Sequence, residues 1–274
     1  MTPIVEATWA VEHGMVVRRF ASPAAAADAP AMIWIHGLGE WSVSFDAIAR
    51  HPRFAAFSHA LPDMPGYGRT PWPPPTRALH LVASARGSVH ALADYLTDWL
   101  RDSPPPILVG HSMGGVIATV IAEQRPVRAV INIDGNLTLG DCTFSAEAAA
   151  YSLTDFRAHG FATMRAAVYA RGATEPPLRG YHAAMLAARA DTFHANAIDL
   201  VRLSTIDDLA PRFAAMKCPG LFIAGVPGGI CESSRARLDA VGARWVGIEP
   251  SGHWPYVDQP EAFATAIADF LAPL

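Results

Sequence analysis

The stretch ILVGHSMGGVIATV, residues 107–120, joins three features in one continuous segment. Residues 107–109 are apolar, as in a strand that is buried on both faces. Residues 110–114 then read Gly-His-Ser-Met-Gly, and the small and apolar residues that follow are typical of a buried helix. A serine on so tight a strand-to-helix turn needs glycines beside it, because larger side chains would collide with the neighbouring backbone. The segment therefore predicts an α/β protein with Ser112 as its nucleophile.

Outward from this segment, strands and helices alternate along most of the chain. The alternation predicts an α/β fold with a mostly parallel, doubly wound sheet of eight strands, whose first two strands form an antiparallel hairpin. The predicted strands cover residues 4–11, 15–20, 31–37, 54–63, 104–110, 127–134, 218–225 and 244–250, and the predicted core helices cover 80–101, 112–124, 232–241 and 260–271.

One long region interrupts this alternation. Residues 137–205 show no strand pattern and are typical of several short amphipathic helices separated by glycine and proline. We expect this region, named the cap segment here, to be a helical cap inserted into a core formed by residues 1–136 and 206–274.

A serine nucleophile needs a base and donors for the oxyanion that it creates. His253 follows a predicted strand in a Ser-Gly-His turn, at the carboxyl end of the sheet where ligand sites of α/β proteins form. The sequence therefore indicates His253 as the base. The strand and turn IHGLGEW, residues 35–41, predict that the backbone N–H of Leu38 faces the N–H of Met113 and that the two form an oxyanion hole.

The chain resembles the α/β-hydrolase superfamily in its cap-bearing branch of serine esterase-like and dehalogenase-like enzymes. The resemblance rests on the segments HGLGE, LPDMPGYGRT, VGHSMGG, INIDGN, CPGLFIAG and SGHWPYVDQPEAF, which span nearly the whole predicted core. It implies the α/β-hydrolase fold and a Ser–acid–His triad, with no cofactor and no metal ion. It carries little information about the substrate.

The acid of this triad is less evident than the serine and the histidine. Most members of the superfamily carry it just after the strand that matches LFIAG, where this chain has Gly228 and Gly229. Haloalkane-dehalogenase-like members carry it at the end of the strand after the nucleophile helix, and Asp134 has that position here. We therefore expect Asp134 to orient His253, with Glu232, Asp141 or no acid at all as the alternatives.

These residues favour a serine hydrolase that cleaves a carboxylic ester, a lactone or a thioester through an acyl-enzyme on Ser112. A carbon–carbon bond hydrolase, a perhydrolase or a non-catalytic ligand-binding protein on the same fold are the alternatives. The aromatic residues Trp41, Trp254, Phe144 and Tyr151 are candidates for lining a partly hydrophobic substrate pocket. An equally good interpretation is that these rings only pack the cap segment on the core.

Composition narrows the classes of partner. The formal net charge is −4, and no run of basic residues indicates a nucleic acid or an anionic membrane as a partner, so we expect a small-molecule substrate. No stretch has the length and apolarity of a membrane span or the pattern of a signal peptide. The three cysteines are odd in number and lack metal-site spacing, which favours reduced thiols and a cytoplasmic protein. The oligomeric state has no signature in the sequence.

Overall fold

The computed structural model describes residues 7–21, 25–26, 29–71 and 87–274. The start of the predicted helix 80–101, residues 80–86, and residues 4–6 of the first predicted strand lie outside this range.

One sheet of eight strands organises the described chain, in the order β1-β2-β4-β3-β5-β6-β7-β8. Strands β1 and β2 form an antiparallel hairpin, β2 pairs antiparallel with β4, and all other neighbours are parallel. The predicted fold class is confirmed. The strands are β1 (Thr8–Glu12), β2 (Met15–Ala21), β3 (Ala31–Ile35), β4 (Ser58–Pro62), β5 (Ile107–His111), β6 (Ala129–Ile133), β7 (Gly220–Gly228) and β8 (Trp245–Gly252).

Helices follow most of the parallel strands and supply the sequence distance that parallel connections require. The longer helices are α1 (Ser88–Trp99), α2 (Met113–Gln124), α3 (Phe144–Ala149), α4 (Phe161–Arg171), α5 (Pro176–Met185), α6 (Ala190–Ile206), α7 (Leu209–Ala214), α8 (Glu232–Ala240) and α9 (Pro260–Leu271). Short helical turns, which are not numbered, lie at Ser42–Phe45, Asp46–Ala49, Pro52–Phe54, Leu139–Asp141, Leu153–Asp155, Phe156–Gly160 and Pro255–Asp258.

Two strand boundaries differ from the predicted ones in ways that matter for the site. Strand β7 continues three residues beyond the predicted end at 225, and β8 continues two residues beyond 250, because Pro227 pairs with Ser251 and Gly228 with Gly252. Because of this extra pairing, β8 ends at Gly252, the residue before His253. The sheet therefore holds the backbone that leads into the histidine.

The centre of the sheet is apolar on both faces. Every residue of β5 and β6 is buried, which a parallel strand covered by helices on both sides requires. The polar residues of the candidate site therefore lie beyond the strand ends, where the backbone turns away from the sheet.

The cap segment contains helices and turns, and no strand lies between β6 and β7. Its interior is aromatic, with the ring of Phe156 stacked on Phe193 at a centroid distance of 5.9 Å. The boundaries of the cap segment as a separate domain remain a prediction. Within the described ranges, no helix has both the length and the apolarity needed to cross a membrane. Cys142, Cys218 and Cys231 are free thiols.

Candidate active site

Ser112 stands between β5 and α2 on a strained turn. Its φ of 54° and ψ of −121° lie outside the regions that a serine ordinarily adopts, and its N–H donates to the carbonyl of Ile133 at 2.8 Å. The flanking glycines are required by contact. A Cβ at Gly110 would lie 2.1 Å from the carbonyl oxygen of Gly114, and a Cβ at Gly114 would lie 2.0 Å from that of Ile35. The turn thus fixes the serine at the edge of the sheet.

His253 follows β8 and lines the same cavity as Ser112, which we name the inner cavity. Burial and the positive charge of the neighbouring His111 lower the pKa of His253 from its usual 6.5. The imidazole is therefore neutral at neutral pH, which is the form that a general base needs.

Asp134 follows β6 and its backbone turns sharply there, with a φ of 45°. The carboxylate is fully buried, and its Oδ2 lies 3.8 Å from Nδ1 of His253. The backbone N–H groups of Gly225 and Ile230 donate to it at 3.1–3.2 Å. Burial raises the pKa of Asp134 well above its usual value, and the hydrogen bonds from these N–H groups offset only part of that rise. Burial disfavours an unpaired charge on Asp134 or on His253. A protonated His253 is therefore most stable while it stays paired with the carboxylate of Asp134.

The structure also gives a steric reason for glycine at Gly229, one of the two positions where the resemblance implies an acid. A Cβ at Gly229 would lie 2.4 Å from Oδ2 of Asp134, so the carboxylate of Asp134 fills the space that a side chain there would need.

The two alternative acids lie in different surroundings. Glu232 is exposed in the first turn of α8, and no contact joins it to His253 within the described part of the chain. Asp141 accepts hydrogen bonds from the backbone N–H groups of Leu137 and Cys231 at 2.8 and 2.9 Å and from the hydroxyl of Ser234 at 2.6 Å. Through these bonds the Asp141 carboxylate connects the cap segment to α8 and to the residue before it.

The predicted oxyanion donors lie at the inner cavity or beside it. Leu38 lines this cavity, and Met113 is the first residue of α2, where a backbone N–H has no partner inside the helix. Within the described residues, neither the N–H of Leu38 nor the N–H of Met113 donates a hydrogen bond. In this part of the chain both N–H groups are therefore free of protein acceptors, and their role as oxyanion donors remains a prediction.

The four predicted pocket residues separate into two pairs. Phe144 and Trp254 line the inner cavity, and their ring centroids lie 6.4 Å apart. Trp41 and Tyr151 line neither of the two cavities that adjoin His253, so the structure does not bring them to the site. The ring of Trp41 lies beside Arg69 instead. Side-chain direction depends on how each turn packs, which the sequence pattern did not reveal.

A buried carboxylate, Glu40, ties the site together and was missed in the sequence. Its Oε2 accepts from the N–H of Gly37 at 2.7 Å and from Nδ1 of His111 at 2.8 Å. Its Oε1 accepts from Nε1 of Trp254 at 2.7 Å and from the hydroxyl of Tyr256 at 3.2 Å. Burial by itself raises the pKa of Glu40. The charge and hydrogen bonds of these partners, above all His111, outweigh burial and lower this pKa to about 2.

His111 therefore pairs with an ionised carboxylate. Its other ring nitrogen, Nε2, lies 2.8 Å from the backbone carbonyl oxygen of His253, which can only accept. Each ring nitrogen of His111 therefore faces an acceptor oxygen, one on Glu40 and one on the backbone of His253. Through these bonds, Glu40 and His111 connect the turn at Gly37 with the backbone of His253. Because His111 directly precedes Ser112, the same bonds also hold the backbone beside the nucleophile.

We predict that Glu40→Gln lowers kcat by at least about tenfold with little change in KM, since it uncouples the turn at Gly37 from the loop of His253. It should also lower Tm, because breaking one partner of a buried ion pair costs roughly 3–5 kcal/mol. Steady-state kinetics and thermal melts of the purified variant measure both effects.

Glu261→Gln is the matched control, because Glu261 is exposed and also pairs with a histidine, His51, at 3.1 Å. This variant should behave as the wild type does. A folded Glu40→Gln protein with kcat within twofold of the wild type would show that the pair does not position the site.

The sequence held a weak signal for Glu40, since it stands in the same HGLGE segment as Leu38, but a single glutamate in a loop is usually solvated. No pattern indicated Asn136 or Tyr181, which also line the inner cavity. Within the part of the chain that the structure describes, no group of histidine, cysteine, aspartate and glutamate side chains is arranged to hold a metal ion.

Comparison with known proteins agrees with this architecture. The model of the Alpha/beta hydrolase family matches residues 32–266. The chain is 27% identical over 261 residues to 2-succinyl-6-hydroxy-2,4-cyclohexadiene-1-carboxylate synthase of Serratia proteamaculans, covering 89% of this chain and 94% of that protein. It is 32% identical over 110 residues to Lipase LipV of Mycobacterium tuberculosis, but this match spans only 39% of the chain and 38% of the lipase.

Solved structures show the same fold at low identity. The enol-lactonase from Burkholderia xenovorans superposes with a TM-score of 0.72 at 19% identity, over 97% of this chain and all of that one. A thermophilic esterase from Thermogutta terrifontis superposes with a TM-score of 0.71 at 19% identity, over 98% of each chain. The family model covers most of the chain, including the elements that carry Ser112, Asp134 and His253, and we conclude that the chain belongs to the alpha/beta hydrolase family.

Proposed function

We propose that this alpha/beta hydrolase is a serine enzyme that cleaves a carboxylic ester or lactone of a small, partly hydrophobic substrate. The observation that carries the proposal is the inner cavity, where a strained serine, a neutral histidine and a free backbone N–H at Leu38 meet.

In the first half of the reaction, Oγ of Ser112 attacks the substrate carbonyl carbon and His253 takes the hydroxyl proton. The carbonyl oxygen becomes an oxyanion, which accepts hydrogen bonds from the N–H groups of Leu38 and Met113. The carboxylate of Asp134 orients the ring of His253 and stabilises the imidazolium. The carbon–oxygen bond to the alcohol then breaks, and His253 gives its proton to the departing oxygen.

In the second half, water attacks the acyl-enzyme and His253 again takes the proton. The second tetrahedral intermediate collapses, the acid leaves, and the proton returns to Ser112. All of these steps use residues of this chain and water.

A serine nucleophile beside a histidine supports acyl transfer over alkyl–enzyme chemistry, which would need a carboxylate nucleophile. The names of a lipase, an esterase and an enol-lactonase among similar proteins are compatible with an ester or lactone substrate. A non-catalytic binding protein would have no use for the strained turn at Ser112.

We predict that p-nitrophenyl acetate is hydrolysed and that a rapid acid quench traps an acetyl group on Ser112. Mass spectrometry of the peptide that contains Ser112 identifies the acetylated residue. Absence of turnover, or an acetyl group on a different residue, would contradict the proposed mechanism.

A further inference from the structure

Two cavities of very different size adjoin His253. The inner cavity, which Ser112 and Leu38 line, has a volume of about 20 Å³ and admits only a group of very few atoms. A second cavity, named the outer cavity here, has a volume of about 700 Å³ and lies against Asp134 and the cap segment. Five of the described residues line both cavities: Asp141, Thr143, Phe144, His253 and Trp254.

The chemistry of ester cleavage assigns each side of the substrate to one cavity. The leaving alcohol takes its proton from His253, which both cavities touch, but only the inner cavity contains Ser112 and the turn at Leu38. The acyl group, which stays bonded to Ser112, therefore fits the inner cavity. The alcohol fits the outer cavity.

The inner cavity is polar as well as small. Asn136 is 5% exposed, and its Nδ2 donates to the carbonyl of Asp141 at 3.3 Å. Its Oδ1 is buried and has no hydrogen-bond partner within the described residues. Tyr181, on α5 of the cap segment, is 4% exposed and its ring packs against Trp254 at 5.4 Å.

The hydroxyl of Tyr181 lies beside Gly39, next to the proposed oxyanion donor Leu38, and within the described ranges it makes no hydrogen bond. A buried polar atom such as Oδ1 of Asn136 is costly when it remains unpaired. A site with such an atom discriminates strongly in favour of a ligand that pairs with it. An unpaired acceptor on Asn136 calls for a donor on the substrate, and a phenolic hydroxyl pairs with either a donor or an acceptor.

We infer that the enzyme is specific for short acyl groups that carry a hydrogen-bond donor next to the carbonyl, with the 2-hydroxyacetyl group as the simplest example, and that Asn136 and Tyr181 select them. This inference rests on the proposed ester hydrolysis. The alcohol side of the ester is bulky by comparison, because the outer cavity accepts it.

The experiment uses esters that share one aromatic alcohol and differ only in the acyl group: acetate, propionate, hexanoate, 2-hydroxyacetate and methoxyacetate. Each kcat/KM is divided by the rate of hydroxide-catalysed hydrolysis of the same ester, which removes differences in intrinsic reactivity. We expect acetate to exceed hexanoate by at least about tenfold. We also expect 2-hydroxyacetate to exceed both propionate, which has the same number of non-hydrogen atoms, and methoxyacetate, which cannot donate, by at least about tenfold.

Two variants test the residues that make the selection. Asn136→Leu removes the acceptor at similar volume, and Tyr181→Phe removes only the hydroxyl. Each should reduce the ratio of 2-hydroxyacetate to propionate at least about fivefold. Tyr169→Phe is the matched control, because Tyr169 is a cap-segment tyrosine that is 70% exposed, and it should leave the ratio unchanged.

The outcomes separate this inference from the proposed function. Hydrolysis with a preference for hexanoate, or an equal response to 2-hydroxyacetate and methoxyacetate, overturns the inference and leaves the ester hydrolase standing. A ratio that stays the same in both variants also overturns the assignment of Asn136 and Tyr181. No hydrolysis of any ester, together with no labelling of Ser112 by a fluorophosphonate, overturns both.

Discussion

Replacing Ser112 with alanine should lower kcat by about 10⁴-fold or more, because no other group can form the acyl-enzyme at this turn. The fold should be retained, since the hydroxyl of Ser112 makes no hydrogen bond within the described residues and the backbone bond to Ile133 remains. Ester hydrolysis under steady-state conditions and a circular dichroism melt measure the two expectations.

Ser103→Ala is a suitable control, because Ser103 is exposed on the loop before β5 and lies outside both cavities. That variant should keep the wild-type rate. Turnover by Ser112→Ala within tenfold of the wild type would show that a different nucleophile acts.

Replacing Asp134 with asparagine should lower kcat by roughly 10²–10⁴-fold, with KM little changed. Without the carboxylate, the ring of His253 is free to take the tautomer that cannot accept the proton of Ser112, and the imidazolium loses its partner. The change keeps the volume of a fully buried side chain, so the space beside Gly229 stays filled. Single-turnover kinetics separate the loss in chemistry from any change in binding.

Glu232→Gln provides the comparison, because Glu232 is the other carboxylate near the position where most relatives carry the acid. It lies exposed in the first turn of α8, so its removal should change kcat by less than about threefold. A large loss in Glu232→Gln with normal activity in Asp134→Asn would transfer the role of the acid to Glu232.

Much of this architecture follows from local sequence patterns. The buried apolar run of β5, the glycines around Ser112 and the helix that follows are all encoded within residues 107–120, and the observed strand and helix lie there. The alternation of strands with helices likewise predicted the eight-stranded sheet. A strand that is buried on both faces is a continuous apolar run, and such a run is visible in the sequence without knowledge of the strands beside it. The placement of Ser112, Asp134 and His253 at one edge follows from that alternation, because parallel strands end on the same side.

Other features depend on residues that are far apart in the chain. Glu40 and Trp254 are 214 positions apart, and only the packing of their loops reveals that they share a hydrogen bond. Trp41 and Tyr151 line neither cavity beside His253, whereas Tyr181 lines the inner cavity, because the direction of an aromatic side chain depends on how its helix or turn packs on the core. Short-range sterics and burial specify the sheet, the strained turn and the edge at which the candidate residues gather, so local patterns suffice to predict all three. The buried pair of Glu40 with His111, the small inner cavity and the unpaired oxygen of Asn136 follow only from the packed fold, because they arise where separate segments exclude water from one another.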